Sequence, residues 1–493
     1  MNLHNWMAIS PEIFLLVMAC TVALVDLYVV DAQRRLTFWL TQGSLAVVAL
    51  MRLSSLVEGQ TLYALGNMVV VDPMGQLLGL IATLAVMGTI VYAQPYLYPR
   101  AMLKGEFFIL TMMVLLGINV MVSANDFLVV YLGLEVMSLS LYALVALRRD
   151  DGEATEAAMK YFVLGAIASG FLLYGLSMIY GSTGTLQISE VLGVLAQGNI
   201  NSMVLVFGLV FIVAGLGFKL GVAPFHMWVP DVYQGAPTAI TVLIAGAPKL
   251  AAFGICIRLL VEGLLSLAVE WQQMMMVMAV ASLVVGNLAA IAQTNLKRML
   301  AYSAIGQVGF MLLGLTSGVV GGHTMLAGNA YSSALFYLVT YVLTTVGSFG
   351  LMMLLSRDGF EAQNISDFAG LAVRKPWMAA AMTVFMFSLA GIPPTMGFYA
   401  KFAVLQSLIT TNMPGYLILA FVAVLISLIA AFYYLRVIKV MYFEQNTLPV
   451  LNEPTRGADV LLMLNAAAVL VLGLMPSGLI AVCRDVIVRS LAS

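Results

Sequence analysis

Long apolar runs alternate with short polar connections along the whole chain. A helix that spans a bilayer needs about 20 mainly apolar residues. That ruler predicts fourteen segments, near 12–30, 37–57, 74–95, 107–123, 127–147, 157–180, 203–235, 237–261, 272–293, 299–317, 328–355, 377–410, 416–442 and 458–482. The runs are far too long for barrel strands, and the period-two alternation of a membrane barrel is missing. The expected fold is all-α, a polytopic membrane protein of about 14 transmembrane helices.

Two segments carry an interruption. The seventh contains Gly221-Val222-Ala223-Pro224 and the twelfth Gly391-Ile392-Pro393-Pro394. Proline lacks the N–H and clashes with the preceding turn, so each helix should break there. The breaks are five segments apart, an odd number. Segments 4–8 and 9–13 would then be inverted copies, a construction typical of transporters. This divides the chain into an N-terminal three-helix segment (1–105), a first repeat of helices 4–8 (106–262), a second, inverted repeat of helices 9–13 (263–445) and a C-terminal helix 14 (446–493).

Charge adds the orientation. The odd-numbered loops hold Arg34, Arg35, Arg100, Lys104, Arg148, Arg149, Lys297, Arg298, Arg357, Arg374, Lys375, Arg436, Lys439 and Arg456, whereas the even ones offer Glu58, Asp72, Glu190, Glu262 and Glu270. Lys and Arg mark cytoplasmic loops, so both termini are expected on the periplasmic side of a bacterial inner membrane. Arg484 and Arg489 go against this pattern. The start carries Glu12 and no basic n-region, which speaks against a cleavable signal peptide.

Composition agrees. Of 493 residues, 62% are hydrophobic and 9% charged, with a mean hydropathy of +1.02; a soluble domain is typically about 25% charged. The net charge of −1 gives no reason to expect nucleic acid. Cys20, Cys256 and Cys483 form no C-x-x-C pair, so neither an iron–sulfur cluster nor a structural zinc site is expected. Gly215-Leu216-Gly217-Phe218-Lys219-Leu220-Gly221 imitates a dinucleotide fingerprint, but it follows no strand and lies inside an apolar segment. No redox centre, nucleotide site, metal or other cofactor is expected in this chain.

The chemistry therefore rests on ionisable groups in the apolar runs, where a charge costs about 2.5 to over 10 kcal/mol. Glu135 is in the middle of segment five, Lys219 just before the break of segment seven, Lys249 in the middle of segment eight, and Lys401 past the break of segment twelve. Burial favours the neutral form of a carboxyl or an amine, which brings such groups within reach of proton exchange near neutral pH. The set reads as a proton relay, with Glu135 and Lys219 as a pair that opens and closes. A static Glu135–Lys219 pair that holds helices together is the bland alternative. Lys249 and Lys401 have no obvious intramembrane carboxylate; segment ten, opposite segment five in the repeat, offers only Ser303 and Gln307. His226, just past the first break, is either a proton carrier or a polar group lining the break. His4 and His323 read as solvated. Arg52, Lys160, Arg258 and Asp26 lie toward segment ends, where snorkelling to the interface is expected.

The stretch Ala223-Pro224-Phe225-His226-Met227-Trp228-Val229-Pro230-Asp231-Val232-Tyr233-Gln234-Gly235-Ala236-Pro237-Thr238 resembles the antiporter-like membrane subunits of respiratory complex I. Its ending, with Ala247-Pro248-Lys249, looks like the branch that includes mitochondrial NADH dehydrogenase subunit 2. Asn295-Leu296-Lys297-Arg298 through Gln307, and Ser388 through Lys401, agree with that family, and the likeness covers nearly the whole chain. It implies fourteen helices, inverted five-helix repeats and proton pumping driven by distant quinone reduction. Glu135, Lys219, Lys249 and Lys401 match its key positions. Other membrane-arm subunits and the lipid bilayer are the implied partners, the chain is not expected to act as a stand-alone enzyme, and NAD, FMN, iron–sulfur clusters and quinone are expected on those partner subunits. No long lateral helix follows segment fourteen, which argues against the largest antiporter-like subunit. A subunit of a multi-protein Na+/H+ antiporter and a structural membrane scaffold remain as alternatives; a haem- or quinone-binding reductase is disfavoured by the missing ligands.

Overall fold

The structure, a computed structural model, describes residues 3–198, 201–357, 359–445 and 456–492, with backbone alone for 3–5 and for Arg456. The His4 side chain, the Arg456 side chain and the boundary placed at 446 thus lie outside the described residues. Among the described residues fourteen spans are present. They are Ser10–Asp26 (α1), Arg35–Glu58 (α2), Pro73–Leu97 (α3), Gly105–Val122 (α4), Phe127–Val145 (α5), Gly152–Thr183 (α6), Ser202–Leu220 with Trp228–Gly235 (α7a, α7b) and Thr238–Gly263 (α8). Ala268–Ile291 (α9), Leu296–Thr316 (α10), Ala327–Leu355 (α11), Pro376–Ala390 with Met396–Ile409 (α12a, α12b), Pro414–Phe443 (α13) and Arg456–Leu474 (α14) complete the set. In lipid the backbone must satisfy its own hydrogen bonds, which is why apolar runs of this length become helices.

The connections sort by parity onto two faces. On one, the antiparallel hairpin Leu62–Ala64/Val69–Val71 bridges through Val69 to Ala124, and Gln187 bridges to Asp126. On the other, Arg100 donates to the carbonyls of Arg357 (2.7 Å) and Phe360 (3.0 Å), and Asn295 bridges to Asn364. Loops 2, 4 and 6 are thus stitched together, as are loops 3, 9 and 11 in two pairs, an arrangement that fourteen spans require.

The inverted copies, α4–α8 and α9–α13, are visible in the hydrogen bonds. Asp126 caps α5 by accepting from Leu128 N (2.8 Å), and Asn295 caps α10 by accepting from Arg298 N (3.0 Å). Phe127 N donates to Leu186 O and Ile188 N to Asn125 O; in the second copy Leu296 N donates to Gln363 O and Ile365 N to Thr294 O. The breaks match as well. Gly221 (φ +72) and Gly391 (φ +82) end α7a and α12a in the left-handed region. Val222 N then bonds back to Gly217 O and Ile392 N to Phe387 O. This is the glycine-terminated Schellman closure, which a residue with a Cβ resists.

The same offset relates two close helix crossings. A Cβ on Gly117 of α4 would lie 2.6 Å from Gly133 O of α5, and one on Gly286 of α9 would lie 2.7 Å from Tyr302 O of α10. Small residues let membrane helices approach to backbone contact. Gly286→Val should therefore push α9 off α10 and cost roughly 1–3 kcal/mol, the usual range for overpacking. A lower denaturation temperature of the detergent-solubilised assembly would register it, and an unshifted midpoint would contradict the crossing.

Three expectations are corrected. Segment fourteen ends at Leu474, not near 482; past Pro476 a separate helix, Ser477–Ala492 (α15), packs on α3 and α11. There Ser490 Oγ donates to Asp72 (2.6 Å) and Arg489 pairs with Asp485 (2.9 Å), so the two late arginines belong to a packed terminal helix. The ninth span begins at Ala268, earlier than the hydropathy edge. Finally, Arg52 and Arg258 do not snorkel. Arg52 is fully buried and pairs with Glu12 (2.5 Å). Arg258, 2% exposed, pairs with Asp72 (2.5 Å) and Glu262 (2.9 Å). Protein surrounds these positions where lipid was expected, so the guanidinium finds a carboxylate before it finds water. Lys160 and Asp26 do sit at partly exposed edges, paired with Asp231 (2.8 Å) and Arg34 (3.3 Å), and His323 is exposed.

Candidate functional site

Three of the four singled-out residues meet at the broken helices. Lys249 is 2% exposed near the middle of α8, and its Nζ donates to Leu220 O, the last carbonyl of α7a. Lys401 is 7% exposed on α12b; its Nζ donates to Ala390 O, the last carbonyl of α12a (2.9 Å), and to Ser427 Oγ (2.8 Å). Leu220 and Ala390 directly precede the two capping glycines. The copies thus place a lysine on equivalent orphan carbonyls, where the partial negative charge of a helix C-terminus supports a cation. Each ammonium also faces an aromatic ring, Trp228 at 5.7 Å and Phe310 at 5.1 Å. The glycines make room: a Cβ on Gly221 would lie 3.2 Å from Lys249 Nζ, and one on Gly391 2.7 Å from Lys401 Cδ. Among the described residues neither lysine has a carboxylate within ion-pair distance.

Lys219 lies in the last turn of α7a. It does not ion-pair with Glu135 in this structure. Its Nζ donates to Ser138 Oγ (2.9 Å) and Ser169 Oγ (3.3 Å), hydroxyls on α5 and α6. Ser138 is one turn beyond Glu135, and Glu135 Oε1 is buried without a hydrogen-bond partner among the described residues. The amine is thus held by two hydroxyls, one of them a single turn along α5 from the acid. His226 sits in the turn between α7a and α7b, half-buried, with Nδ1 lacking a hydrogen-bond partner among the described residues.

The second copy answers with neutral groups. The caps Asp126 and Asn295 differ by 295 − 126 = 169, so Ser138 corresponds to Gln307. Gln307 Nε2 donates to Leu389 O (2.9 Å) and Tyr434 OH (2.9 Å), and its Oε1 accepts from Tyr337 OH. Tyr434 also shares a hydrogen bond with Ser303. Gln307, Tyr337, Thr344 and Ser388 line a cavity of about 10 Å³, close to the minimum that holds one water.

Sequence reasoning missed two charged residues. Lys297, counted as a loop charge, is buried and donates to Ala236 O (2.6 Å), just past α7b. Glu361 of loop 11 accepts from Tyr96 OH (2.7 Å) and Thr238 Oγ1 (2.6 Å) and pairs with Arg100 (3.5 Å). Neither lies within an apolar window, so hydropathy gave no signal. The adjacent pair Lys297-Arg298 was the available hint: successive helical residues point about 100° apart, so one of the two faces inward.

This is an inverted-repeat membrane protein with a buried lysine at each helix break. Comparison with known proteins gives the family. The model for the NADH:quinone oxidoreductase/Mrp antiporter transmembrane family matches residues 124–427. NADH-quinone oxidoreductase subunit N of Polaromonas naphthalenivorans is 58% identical over 486 residues, 98% of this chain and 97% of that relative. A chain of respiratory complex I from Thermus thermophilus with bound aureothin superposes with a TM-score of 0.79 at 29% identity, over 96% of this chain and 98% of that one. A chain of the Mrp complex from Dietzia sp. has the same fold, with a TM-score of 0.84 at 19% identity, over 99% of this chain and 97% of that one. The chain belongs to the NADH:quinone oxidoreductase/Mrp antiporter transmembrane family and, within it, to the NADH-quinone oxidoreductase subunit N proteins.

Proposed function

We propose that this chain is a proton-translocating membrane-arm subunit of a bacterial NADH:quinone oxidoreductase. It moves protons through Glu135, Lys219, Lys249 and Lys401 while quinone is reduced elsewhere in the complex. Other membrane-arm subunits flank it in the inner membrane, and both termini face the periplasm. NAD, FMN, the iron–sulfur clusters and quinone belong to partner subunits; this chain supplies the titrating side chains and holds no cofactor of its own.

One observation carries the reading: Lys249 and Lys401 each rest on a helix-terminal carbonyl with no carboxylate beside them. A buried ammonium used as scaffold is ordinarily matched by a counter-ion. Here burial opposes the charge and the half-helix terminus supports it. Two opposed influences of this kind leave protonation responsive to a neighbour. Lys219, facing two hydroxyls with Glu135 nearby, is the group whose charge would bias Lys249. On the odd-loop face, the partly exposed Glu361 would take up protons from water, with the buried Lys297 further in.

The test is proton translocation by the assembled complex in sealed inverted vesicles. With Lys219→Ala, NADH oxidation should persist while acidification per electron falls at least about tenfold, below the roughly 10²-fold that a positioned acid–base group contributes. Full acidification by that variant would remove Lys219 from the relay. Sodium-dependent proton movement without NADH oxidation would favour a cation/proton antiporter instead.

A further inference from the structure

On the odd-loop face, α2, α3 and the start of α14 leave an open cleft of about 730 Å³. Its lining is amphipathic: Gln33, Gln42 and Gln94 contribute polar groups, and Met87 and Val91 an apolar wall. Trp39, largely exposed, and Tyr98, 43% exposed, stand in it, as aromatic side chains do at a membrane–water interface. Two cations flank the cleft. Arg35 Nε donates to Gln33 Oε1 (2.8 Å), and Lys104 directly follows the lining residue Leu103. Neither makes an ion pair among the described residues.

Of the nearby acids, Asp26, Asp31 and Glu106 are engaged or apart, and Asp459, next to the lining residue Ala458, keeps one buried carboxylate oxygen without a partner among the described residues. Asp26 is held by Arg34 (3.3 Å) and Thr37 (2.6 Å). Asp31 accepts from the backbone N–H of Gln33 (3.0 Å) and of Arg35 (3.4 Å). Glu106, exposed at the start of α4, pairs with neither cation. By contrast, the cleft of about 410 Å³ on the other flank of α14, lined by residues such as Leu461, Leu464 and Val342, has no charged side chain in its wall.

We propose that the first cleft binds one anionic phospholipid of the adjacent leaflet. Its phosphate sits at Arg35 and Lys104, its ester groups at the glutamines and an acyl chain along Met87 and Val91. Basic pockets between membrane helices select acidic headgroups in this way. The proposal is independent of the proton relay.

The complex is placed in vesicles of phosphatidylglycerol and phosphatidylcholine containing a trace of either lipid with a photoactivatable tail. Labelled peptides from α2, α3 and α14 are then quantified. The phosphatidylglycerol probe should label them about tenfold more than the phosphatidylcholine probe, each cation near the surface favouring an acidic lipid. The Arg35→Gln/Lys104→Gln variant should lose that preference. Gly43 lines the cleft and has nothing within 4 Å of where its Cβ would be. Gly43→Phe should therefore fill the space without a clash, abolish labelling by both probes and leave NADH oxidation intact. Equal labelling by the two probes, or undiminished labelling of Gly43→Phe, overturns the proposal. So does disulfide or crosslinker capture of another subunit by Gly43→Cys, which would mean that protein fills the cleft.

Discussion

Replacing Lys401 with methionine should leave an assembled complex that oxidises NADH but translocates almost no protons, a loss of about 10²-fold or more. Methionine keeps much of the lysine's length and is apolar, so α12b loses its charge without losing its packing. The substitution also removes a buried ammonium from beside Phe310 and the Ala390 carbonyl, so denaturation of the variant should come no earlier than that of the wild type. Lys401→Arg separates charge from proton exchange: guanidinium does not deprotonate in proteins. If pumping needs a group that releases its proton, arginine should fail as methionine does. Recovery with arginine would assign Lys401 an electrostatic role only, and normal acidification by the methionine variant would exclude it altogether.

The second large effect concerns stability. Arg258→Met should destabilise the protein by about 3–5 kcal/mol, the cost of breaking a buried ion pair by removing one partner. Asp72 is 0% exposed and, among the described residues, would keep Ser490 and the Gly75 N–H. The methionine itself is well suited to the space, so the loss belongs to the stranded carboxylates Asp72 and Glu262. Two further measurements follow. Adding Asp72→Asn and Glu262→Gln should restore most of the midpoint. Lowering the pH should narrow the deficit of the single variant, because protonating the stranded carboxylates removes the buried charge. A single variant as stable as wild type would mean that Arg258 does not hold α3, α8 and α15 together.

The spans were legible because hydropathy reports whether a run can leave water, and the breaks because glycine and proline act through the local backbone. Gly221 and Gly391 needed no tertiary information. Arg258 and Arg52 did: distance from a segment end is counted along the chain, while burial depends on which helices stand alongside. The same limit hid Lys297, whose neighbours α7b and Ala236 are far away in sequence. The π-helical turn Ile257–Gly263, which carries both Arg258 and Glu262, has no composition of its own to mark it. Glu135 and Lys219 were paired from opposite charge alone, and the bond of Lys219 to the Ser138 hydroxyl is a matter of side-chain reach that no spacing rule supplies.

The two carbonyl-seated lysines have an electrical consequence. α7a and α12a approach their breaks from opposite faces of the molecule, and at 1.5 Å rise per residue Lys249 and Lys401 lie about 16 and about 12 Å along their helices from opposite faces, which puts both near the middle of the span. An elementary charge crossing the whole membrane does work of about 2.3 kcal/mol per 100 mV. A hop between two groups at one level crosses hardly any of that voltage. In the proposed relay, sideways transfer between the two lysines would therefore be nearly indifferent to membrane potential, and the back-pressure of an energised membrane would fall on the steps that bring a proton to them and take it away.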